Sequence, residues 1–241
     1  LEEGLPPEAF PRIAKTLCTP HRSLGADGFM VVDQAQGEGD FRMLFFNSDG
    51  SVGEMCGNGA RCICRYGYET GLSGPIQKVE TTAGLVIGER IDRRRYRVRL
   101  NDPTVIDLDR TAMIGGELGN PGLPHAVVHW PGLANADNDL LFKLGRALRD
   151  FEGFPKGANV NFYDMLGQDH VLEKTYERGV EDFTLACGTG TGSVVTVLTK
   201  RGLVSGKQVQ VDMPGGTLTV DVEQENDTIT GLFLTGPTNL V

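Results

Sequence analysis

The sequence predicts an α+β fold of two pseudo-symmetric domains, and an internal repeat is the first reason. Residues 54–61 resemble residues 185–192, and in both segments a Cys-Gly-x-Gly turn stands just before a predicted helix. The second reason is that short strand patterns flank both helices, as where Tyr96, Val98 and Leu100 alternate with arginines. The chain of 241 residues is long enough for two small domains, and its 33 glycines predict tight turns and close backbone approaches.

Periodicity places the individual elements along both halves. Apolar residues spaced three and four apart predict a helix over 139–151, and a weaker pattern predicts one over 9–18. Helices over 60–70 and 191–201 follow the two Cys-Gly-x-Gly turns, and a glycine closes each of them. Residues 47–51 predict a turn, because Asn, Asp and Gly accept left-handed backbone. Strands are predicted at 29–33, 41–46, 77–91, 95–101, 125–130, 159–165, 170–176, 208–213, 217–223 and 228–234, a linker at 101–109 and a loop at 115–122.

Composition excludes several classes of protein and partner. Hydrophobic residues make up 39% of the chain, which is enough for a core and too much for a disordered tail. The 23 Lys and Arg against 32 Asp and Glu give a net charge of −9, which argues against nucleic acid or an anionic membrane as a partner. No window approaches the ~18 consecutive apolar residues of a membrane span. Five cysteines are an odd and sparse set, so we expect a cytoplasmic protein with reduced thiols.

Cys56 and Cys187 are the candidate catalytic residues. Each stands at a predicted helix N-terminus, where unpaired N–H groups and the helix dipole favour a thiolate and lower the thiol pKa below ~8.5. The glycines that follow expose N–H groups that can hold an anion. Two such thiols facing each other would suit inversion of a carbon acid, one removing the α-proton and the other protonating the opposite face. No lysine, phosphate and ring-nitrogen constellation for pyridoxal phosphate stands out, so we expect chemistry without cofactor or metal.

Other interpretations of the cysteines and glycines fit less well. The second turn resembles a dinucleotide fingerprint, but its third glycine, Gly192, comes one residue early. Cys56, Cys62 and Cys64 have the spacing C-x5-C-x-C, which is not a zinc pattern. We expect Cys18, Cys62 and Cys64 to be small buried side chains.

The two cysteine turns belong to a longer series of motifs spread along the chain. The series comprises His21-Arg22-Ser23-Leu24-Gly25-Ala26-Asp27-Gly28, Phe46-Asn47-Ser48-Asp49-Gly50-Ser51, Glu54-Met55-Cys56-Gly57-Asn58-Gly59-Ala60-Arg61-Cys62, Asn159-Val160-Asn161-Phe162, Glu177-Arg178-Gly179, Ala186-Cys187-Gly188-Thr189-Gly190 and Pro214-Gly215-Gly216. In this order the series resembles the diaminopimelate epimerase family, the cofactor-independent epimerases of lysine and cell-wall biosynthesis. The block from Asn47 to Cys62 is highly specific.

The resemblance implies a fold and an activity. Each domain would be a curved, mostly antiparallel sheet wrapped around a central helix. Residues 1–104 plus 232–241 would form the N-terminal domain and residues 105–231 the C-terminal one. The implied enzyme is an isomerase that converts LL-diaminopimelate to meso-diaminopimelate without pyridoxal phosphate, with Cys56 and Cys187 as the acid and base. Its partner would be a small-molecule amino acid, and a homodimer is one assembly to test.

The resemblance also implies roles for individual substrate-binding residues. The N–H groups of the two helix starts would hold the reacting carboxylate, the amides and an arginine would hold the distal end, and a glutamate would lie beside the reacting amino group. The residues at the helix starts are Gly57, Asn58, Gly188 and Thr189, those at the distal end are Asn47, Asn159 and Arg178, and the glutamate is Glu177. Asn120 is a further substrate-binding candidate if it matches the family's Gly-Asn-Pro-His.

Three departures from the family pattern leave the substrate open. The family's opening Gly-Asn-Asp-Phe segment is not in this sequence, and residues 181–184 replace Gly-Glu-Thr with one residue more. The family's Gly-Asn-Pro-His appears either through Asn120 with a three-residue insertion or as residues 122–125, which end at His125. Two alternatives therefore stay open: a racemase of another amino acid such as histidine, and a non-catalytic anion-binding protein whose cysteines could be replaced by serine.

Overall fold

The computed structural model describes residues 5–53, 56–108, 111–114, 124–226 and 228–239. The chain divides into two compact units, unit 1 (Leu1–Val98 with Thr238–Val241) and unit 2 (Arg99–Pro237). The domain ranges given above stay a prediction.

Unit 1 is a sheet with two helices packed on it. Its elements are α1 (Phe10–Cys18), β1 (Gly28–Asp33), β2 (Phe41–Asn47), β3 (Val52–Gly53), α2 (Gly57–Glu69), β4 (Ile76–Thr81), β5 (Gly84–Arg90) and β6 (Arg95–Leu100). The strand order is β1-β2-β4-β5-β6, with β3 paired to β2. Only the β2–β4 pair is parallel among these described pairs, and α2 lies in the connection that a parallel pair requires.

Aromatic side chains fill the core of unit 1 and also explain two of its glycines. Phe10, Val31 and Phe46 form a buried cluster, with the rings of Phe10 and Phe46 5.9 Å apart. On β2 the ring of Phe45 lies against the backbone of both Gly28 and Gly53, so that a Cβ at either glycine would collide with it. These glycines make room for a side chain rather than supply a turn.

Unit 2 is larger and encloses its central helix. Its elements are β7 (Pro103–Asp107), β8 (Thr111–Ile114), β9 (Pro124–His129), α3 (Asn138–Arg149), β10 (Asn159–Gly167), β11 (His170–Glu177), β12 (Asp182–Thr184), α4 (Gly188–Lys200), β13 (Val209–Met213), β14 (Gly216–Glu225) and β15 (Thr228–Pro237). The strand order is β15-β14-β13-β11-β10-β9-β8-β7, with β12 paired to β11. Helix α4 contacts β8, β9, β10, β14 and β15, which stand far apart in this order, so the sheet curves around it.

The second half of unit 2 repeats the order of unit 1. In both, a helix is followed by two antiparallel strands, a very short third strand on the second, a helix, and three further strands. The second strand pairs in parallel with the strand after the helix, as β2–β4 in unit 1 and as β11–β13 in unit 2. The α+β fold of two pseudo-symmetric halves is confirmed.

Most predicted elements are present, and two predictions are wrong. Residues 77–91 are not one strand but the hairpin of β4 and β5, with its turn at residues 82–83. The helices over 9–18, 60–70, 139–151 and 191–201 correspond to α1–α4. The stretch 101–109 is not a linker, because it contains β7, which stands last in the strand order. Its pattern was hidden by Pro103, which is tolerated at the first residue of an edge strand. The predicted loop at 115–122 lies outside the described residues.

Within the described ranges, no helix combines the length and apolarity needed to cross a bilayer.

Candidate active site

Cys56 is the N-cap of α2. Its backbone is extended, with φ −128° and ψ 106°, and its carbonyl accepts the N–H of Ala60 at 2.8 Å, the first bond of the helix. The thiol Sγ accepts the N–H of Gly59 at 3.3 Å, which is the capping bond that a serine or aspartate usually makes. The sulfur of Cys56 is therefore held at the positive end of the helix dipole.

Cys187 is the N-cap of α4 in the same backbone conformation, with φ −125° and ψ 103°. Its carbonyl accepts the N–H of Thr191 at 2.9 Å. Its Sγ lies 3.6 Å from the hydroxyl of Thr189 and 3.9 Å from Nδ2 of Asn159. The internal repeat seen in the sequence is therefore a repeat of local geometry.

The third residue of each helix has to be small. A Cβ at Gly59 would lie 3.1 Å from Sδ of Met30, and a Cβ at Gly190 would collide with Oδ1 of Asn161. The start of α2 therefore packs closely on β1, and the start of α4 packs closely on β10.

The expected lowering of the thiol pKa is wrong for Cys187. Burial raises the pKa of the Cys187 thiol, and the nearby Glu177 carboxylate raises it further. The hydroxyl of Thr189 and the N–H of Gly190 favour the thiolate and oppose this rise without cancelling it. The helix N-terminus alone did not predict the outcome, because only the folded chain shows how completely the sulfur is removed from water.

The structure brings several predicted unit 2 residues together around Cys187. Asn159 is fully buried, and its Oδ1 accepts the backbone N–H of Arg178 at 2.7 Å. The guanidinium of Arg178 donates to the carbonyl of Lys156 at 2.6 Å. Glu177 precedes Arg178 at the end of β11 and acts electrostatically on the thiol. Gly188 and Thr189 form the first turn of α4.

In unit 1 the predicted residues lie at a turn and at a helix start. Asn47 ends β2, where its N–H donates to the carbonyl of Ser51 and its Nδ2 to the hydroxyl of Ser51, both at 2.9 Å. Gly57 and Asn58 open α2, and Oδ1 of Asn58 accepts from Arg61 at 2.9 Å. Arg61 is buried, which lowers the pKa of its guanidinium. Asn120 lies outside the described residues.

The three remaining cysteines are less uniform than expected. Cys18 and Cys64 are buried, as predicted, and burial raises the pKa of Cys64 to about 12. Cys62 is only partly buried.

Sequence reasoning missed a buried polar cluster behind Cys187. The cluster joins His125 to Asn161, with Nδ1 of His125 3.2 Å from Nδ2 of Asn161, and continues through Thr175 and Glu173 to Thr191. Burial lowers the pKa of His125 to about 3, so its ring is neutral. The sequence contained a signal for this cluster. Glu173 and Thr175 stand two residues apart in a predicted strand, so they share one face, and polar residues are unexpected on a face that covers an apolar helix.

Solved structures share this fold over almost the whole chain. A PhzF-family phenazine biosynthesis protein from Bacillus anthracis matches with TM-score 0.69 at 16% identity, covering 97% of this chain and 86% of that one. A probable proline racemase from Agrobacterium radiobacter matches with TM-score 0.67 at 18% identity, covering 96% and 78%. A hydroxyproline epimerase from Agrobacterium vitis matches with TM-score 0.65 at 19% identity, covering 96% and 77%. The chain therefore has the two-unit α+β fold of these proteins.

Sequence comparison identifies one family among the proteins that have this fold. The family model for diaminopimelate epimerase matches residues 2–106 and 119–241. The diaminopimelate epimerase of Aquifex aeolicus is 41% identical over 98% of this chain and 84% of its own length. That of Archaeoglobus fulgidus is 36% identical over 93% of this chain and 83% of its own length. The chain belongs to the diaminopimelate epimerase family.

Proposed function

We propose that the protein epimerises diaminopimelate between its LL and meso forms, as an isomerase of lysine and cell-wall biosynthesis. The observation that carries the proposal is that each half places one cysteine at the same N-cap position of its central helix. Membership of the family and the names of the relatives in Aquifex and Archaeoglobus supply the substrate.

The reaction needs one thiolate and one thiol. One of Cys56 and Cys187 removes the α-proton as a thiolate, and the other donates its thiol proton to the opposite face of the same carbon. The proton balance closes in one turnover, after which the two sulfurs have exchanged protonation states. The reverse reaction starts from that exchanged state, so each direction needs both cysteines.

The carbanion formed by proton removal delocalises its charge into the α-carboxylate. The N–H groups at the starts of α2 and α4 would hold that carboxylate, because the first N–H groups of a helix have no carbonyl one turn earlier to bind. Charge that develops in the transition state is stabilised by donors that are already oriented. We propose this electron sink in place of pyridoxal phosphate.

The distal end of the substrate is the source of specificity. Asn47, Asn159 and Arg178 would hold the distal carboxylate, Glu177 the reacting amino group, and Asn120 a further part of the substrate. A guanidinium binds a carboxylate through two parallel hydrogen bonds, which an ammonium group cannot reproduce.

Exchange of the α-proton in deuterated water tests the proposal against its alternatives. Diaminopimelate, lysine and histidine are compared by mass spectrometry and by chiral chromatography. Lysine lacks the distal carboxylate that Arg178 would bind, and losing a hydrogen bond to a charged group costs about 1.5–3 kcal/mol, so diaminopimelate should be preferred by about ten- to a hundredfold. Equal exchange of lysine or histidine would support a racemase of another amino acid. No exchange with any substrate would support an anion-binding protein.

The setting of the enzyme is also proposed. We propose that it acts in the cytoplasm, where the reducing environment keeps two catalytic thiols reduced. We propose a homodimer as its assembly, which sedimentation equilibrium would test.

A further inference from the structure

The buried polar cluster behind Cys187 has more acceptors than donors. The hydroxyl of Thr191 lies 2.7 Å from Oε2 of Glu173 and 3.0 Å from the carbonyl of Cys187. A hydroxyl carries one proton and can donate to only one of these oxygens. If Glu173 were ionised, Thr191 would have to choose between the carboxylate and the carbonyl that anchors the first turn of α4.

The same shortage occurs on the other side of the carboxyl. The hydroxyl of Thr175 lies 3.0 Å from Oδ1 of Asn161 and 3.2 Å from Oε1 of Glu173. The amide orientation of Asn161 is fixed, because its Nδ2 must donate to the carbonyl of Ala126 at 3.1 Å. Oδ1 of Asn161 is therefore an acceptor, and the single proton of Thr175 can serve this oxygen or Oε1 of Glu173 but not both.

A protonated Glu173 resolves the conflict at Thr191 and removes the negative charge that makes the shortage of donors at Thr175 costly. Its own O–H donates to Oγ1 of Thr191, which leaves the hydroxyl of Thr191 free to donate to the carbonyl of Cys187. Glu173 is 1% exposed, and no cation acts on it among the described residues. Burial raises the pKa of Glu173 to about 7, although hydrogen bonds from Thr191 and Thr175 oppose the rise.

The titratable groups around Glu173 come from each element packed against it. Cys187 precedes α4, Glu177 ends the same strand, β11, and neutral His125 lies on β9 behind Asn161. Arg178 acts on His125 and further lowers its pKa. Glu173 and Glu177 both raise the pKa of the Cys187 thiol, so ionisation of Glu173 is felt at the sulfur.

We propose that Glu173 is a positioning residue for Cys187, acting through Thr191 as a neutral carboxylic acid. In the protonated form it keeps the hydroxyl of Thr191 on the carbonyl of Cys187 and so fixes the N-cap. In the ionised form it takes that hydroxyl away and places a negative charge behind the thiol. The inference rests on the proposed function in one respect, that Cys187 takes part in catalysis.

A measurement without substrate tests the protonation state. Infrared difference spectra between the parent and Glu173→Gln are recorded from about pH 5 to about pH 9, a range that spans ordinary and raised carboxyl pKa values. We expect the carbonyl band of a protonated acid that disappears with a midpoint near pH 7 in the parent and is absent from the variant. A midpoint at the ordinary value for a glutamate would overturn the proposal. This readout stands whether or not the protein is an epimerase.

The pH profile of kcat/KM tests the positioning role. The kcat/KM of the parent divided by that of Glu173→Gln should be constant at low pH and fall about three- to tenfold through neutral pH. A fall of this size corresponds to the loss of one hydrogen bond. Thr191→Val should lower kcat by a similar factor and remove the transition, and Thr191→Ser should restore both. Thr196→Val is the matched control, because Thr196 is a buried threonine of the same helix outside the cluster.

Two outcomes would contradict the positioning role. One is a Glu173→Gln profile that keeps the transition, and the other is a Thr196→Val profile that matches Thr191→Val. If the parent shows no epimerisation of diaminopimelate but the infrared titration gives a midpoint near neutrality, the proposed function fails and the protonated Glu173 remains.

Discussion

The two halves present a cysteine in the same way but support it on different interiors. The strand register shows which residues of the two units are equivalent. Val32 pairs with Met43 between β1 and β2, and Tyr163 pairs with Glu173 at the equivalent place between β10 and β11. In the same alignment Met30 is the counterpart of Asn161. Met30 faces the third residue of α2, and Asn161 faces the third residue of α4.

The unit 1 interior is apolar where that of unit 2 is polar. Met43 is 1% exposed and lies where unit 2 has Glu173, and Ala60 is the fourth residue of α2 as Thr191 is of α4. The backbone of the N-cap differs by only a few degrees between the halves. The scaffold therefore sets where the sulfur lies, and the side chains beneath the helix set its electrostatic surroundings.

Removing either cysteine should have the largest effect, and it tests whether the halves are equal in catalysis. Cys56→Ala and Cys187→Ala should each lower kcat for inversion by about 10²–10⁴-fold, the usual contribution of a general acid or base. Cys64→Ala is the matched control, since Cys64 is a buried cysteine of α2 that packs against Gly88 of β5. Near-normal inversion in either active-site variant would show that one half is dispensable.

Replacing Glu173 and Thr191 by their unit 1 counterparts should change how the free energy of unfolding depends on pH. The pKa of Glu173 is about 7 in the folded chain against 4.5 for an ordinary glutamate. The folded state keeps this proton to a higher pH than the unfolded state does. The contribution of Glu173 to the free energy of unfolding therefore falls as the pH rises from 4.5 to about 7 and is constant above that. The loss is about 3 kcal/mol, at 1.36 kcal/mol for each pKa unit.

The double variant Glu173→Met, Thr191→Ala should lack that loss. Urea unfolding below and above this window should give a free energy of unfolding that falls with pH in the parent and not in the variant. Glu225→Gln, at an exposed position, should keep the slope of the parent. An unchanged slope in the double variant would mean that Glu173 is not protonated in the folded chain.

Adding one methyl group at the third helix position should have the smallest effect and should differ between the halves. In Gly190→Ala the new Cβ meets the amide of Asn161, which is held by its hydrogen bonds, and we expect a loss of about 1–3 kcal/mol. In Gly59→Ala it meets the flexible end of Met30, and the gain in helix propensity of about 1 kcal/mol offsets the crowding. Equal urea midpoints for the two variants would contradict this difference.

Local patterns were enough to predict the helices and the capped cysteines. Helix spacing and a Cys-Gly-x-Gly turn are properties of neighbouring residues, so α2 and α4 could be placed before the structure was known. The alternation of Glu173 and Thr175 was not enough to predict the cluster, because its contacts depend on which β11 residues face α4 and on the pairing of β10 with β11. The pKa of Cys187 depends on burial by the whole of unit 2, and helix position alone predicted its direction wrongly.

The glycine content of the chain has a consequence for its evolution. Gly28 and Gly53 enclose the ring of Phe45, and a Cβ at either glycine would meet atoms of that ring. A larger residue at such a glycine is tolerated only if its partner has already become smaller, so the two positions cannot vary independently. Substitutions at these pairs should be strongly epistatic, and in a library of random variants the glycine changes should survive only together with a reduced aromatic partner.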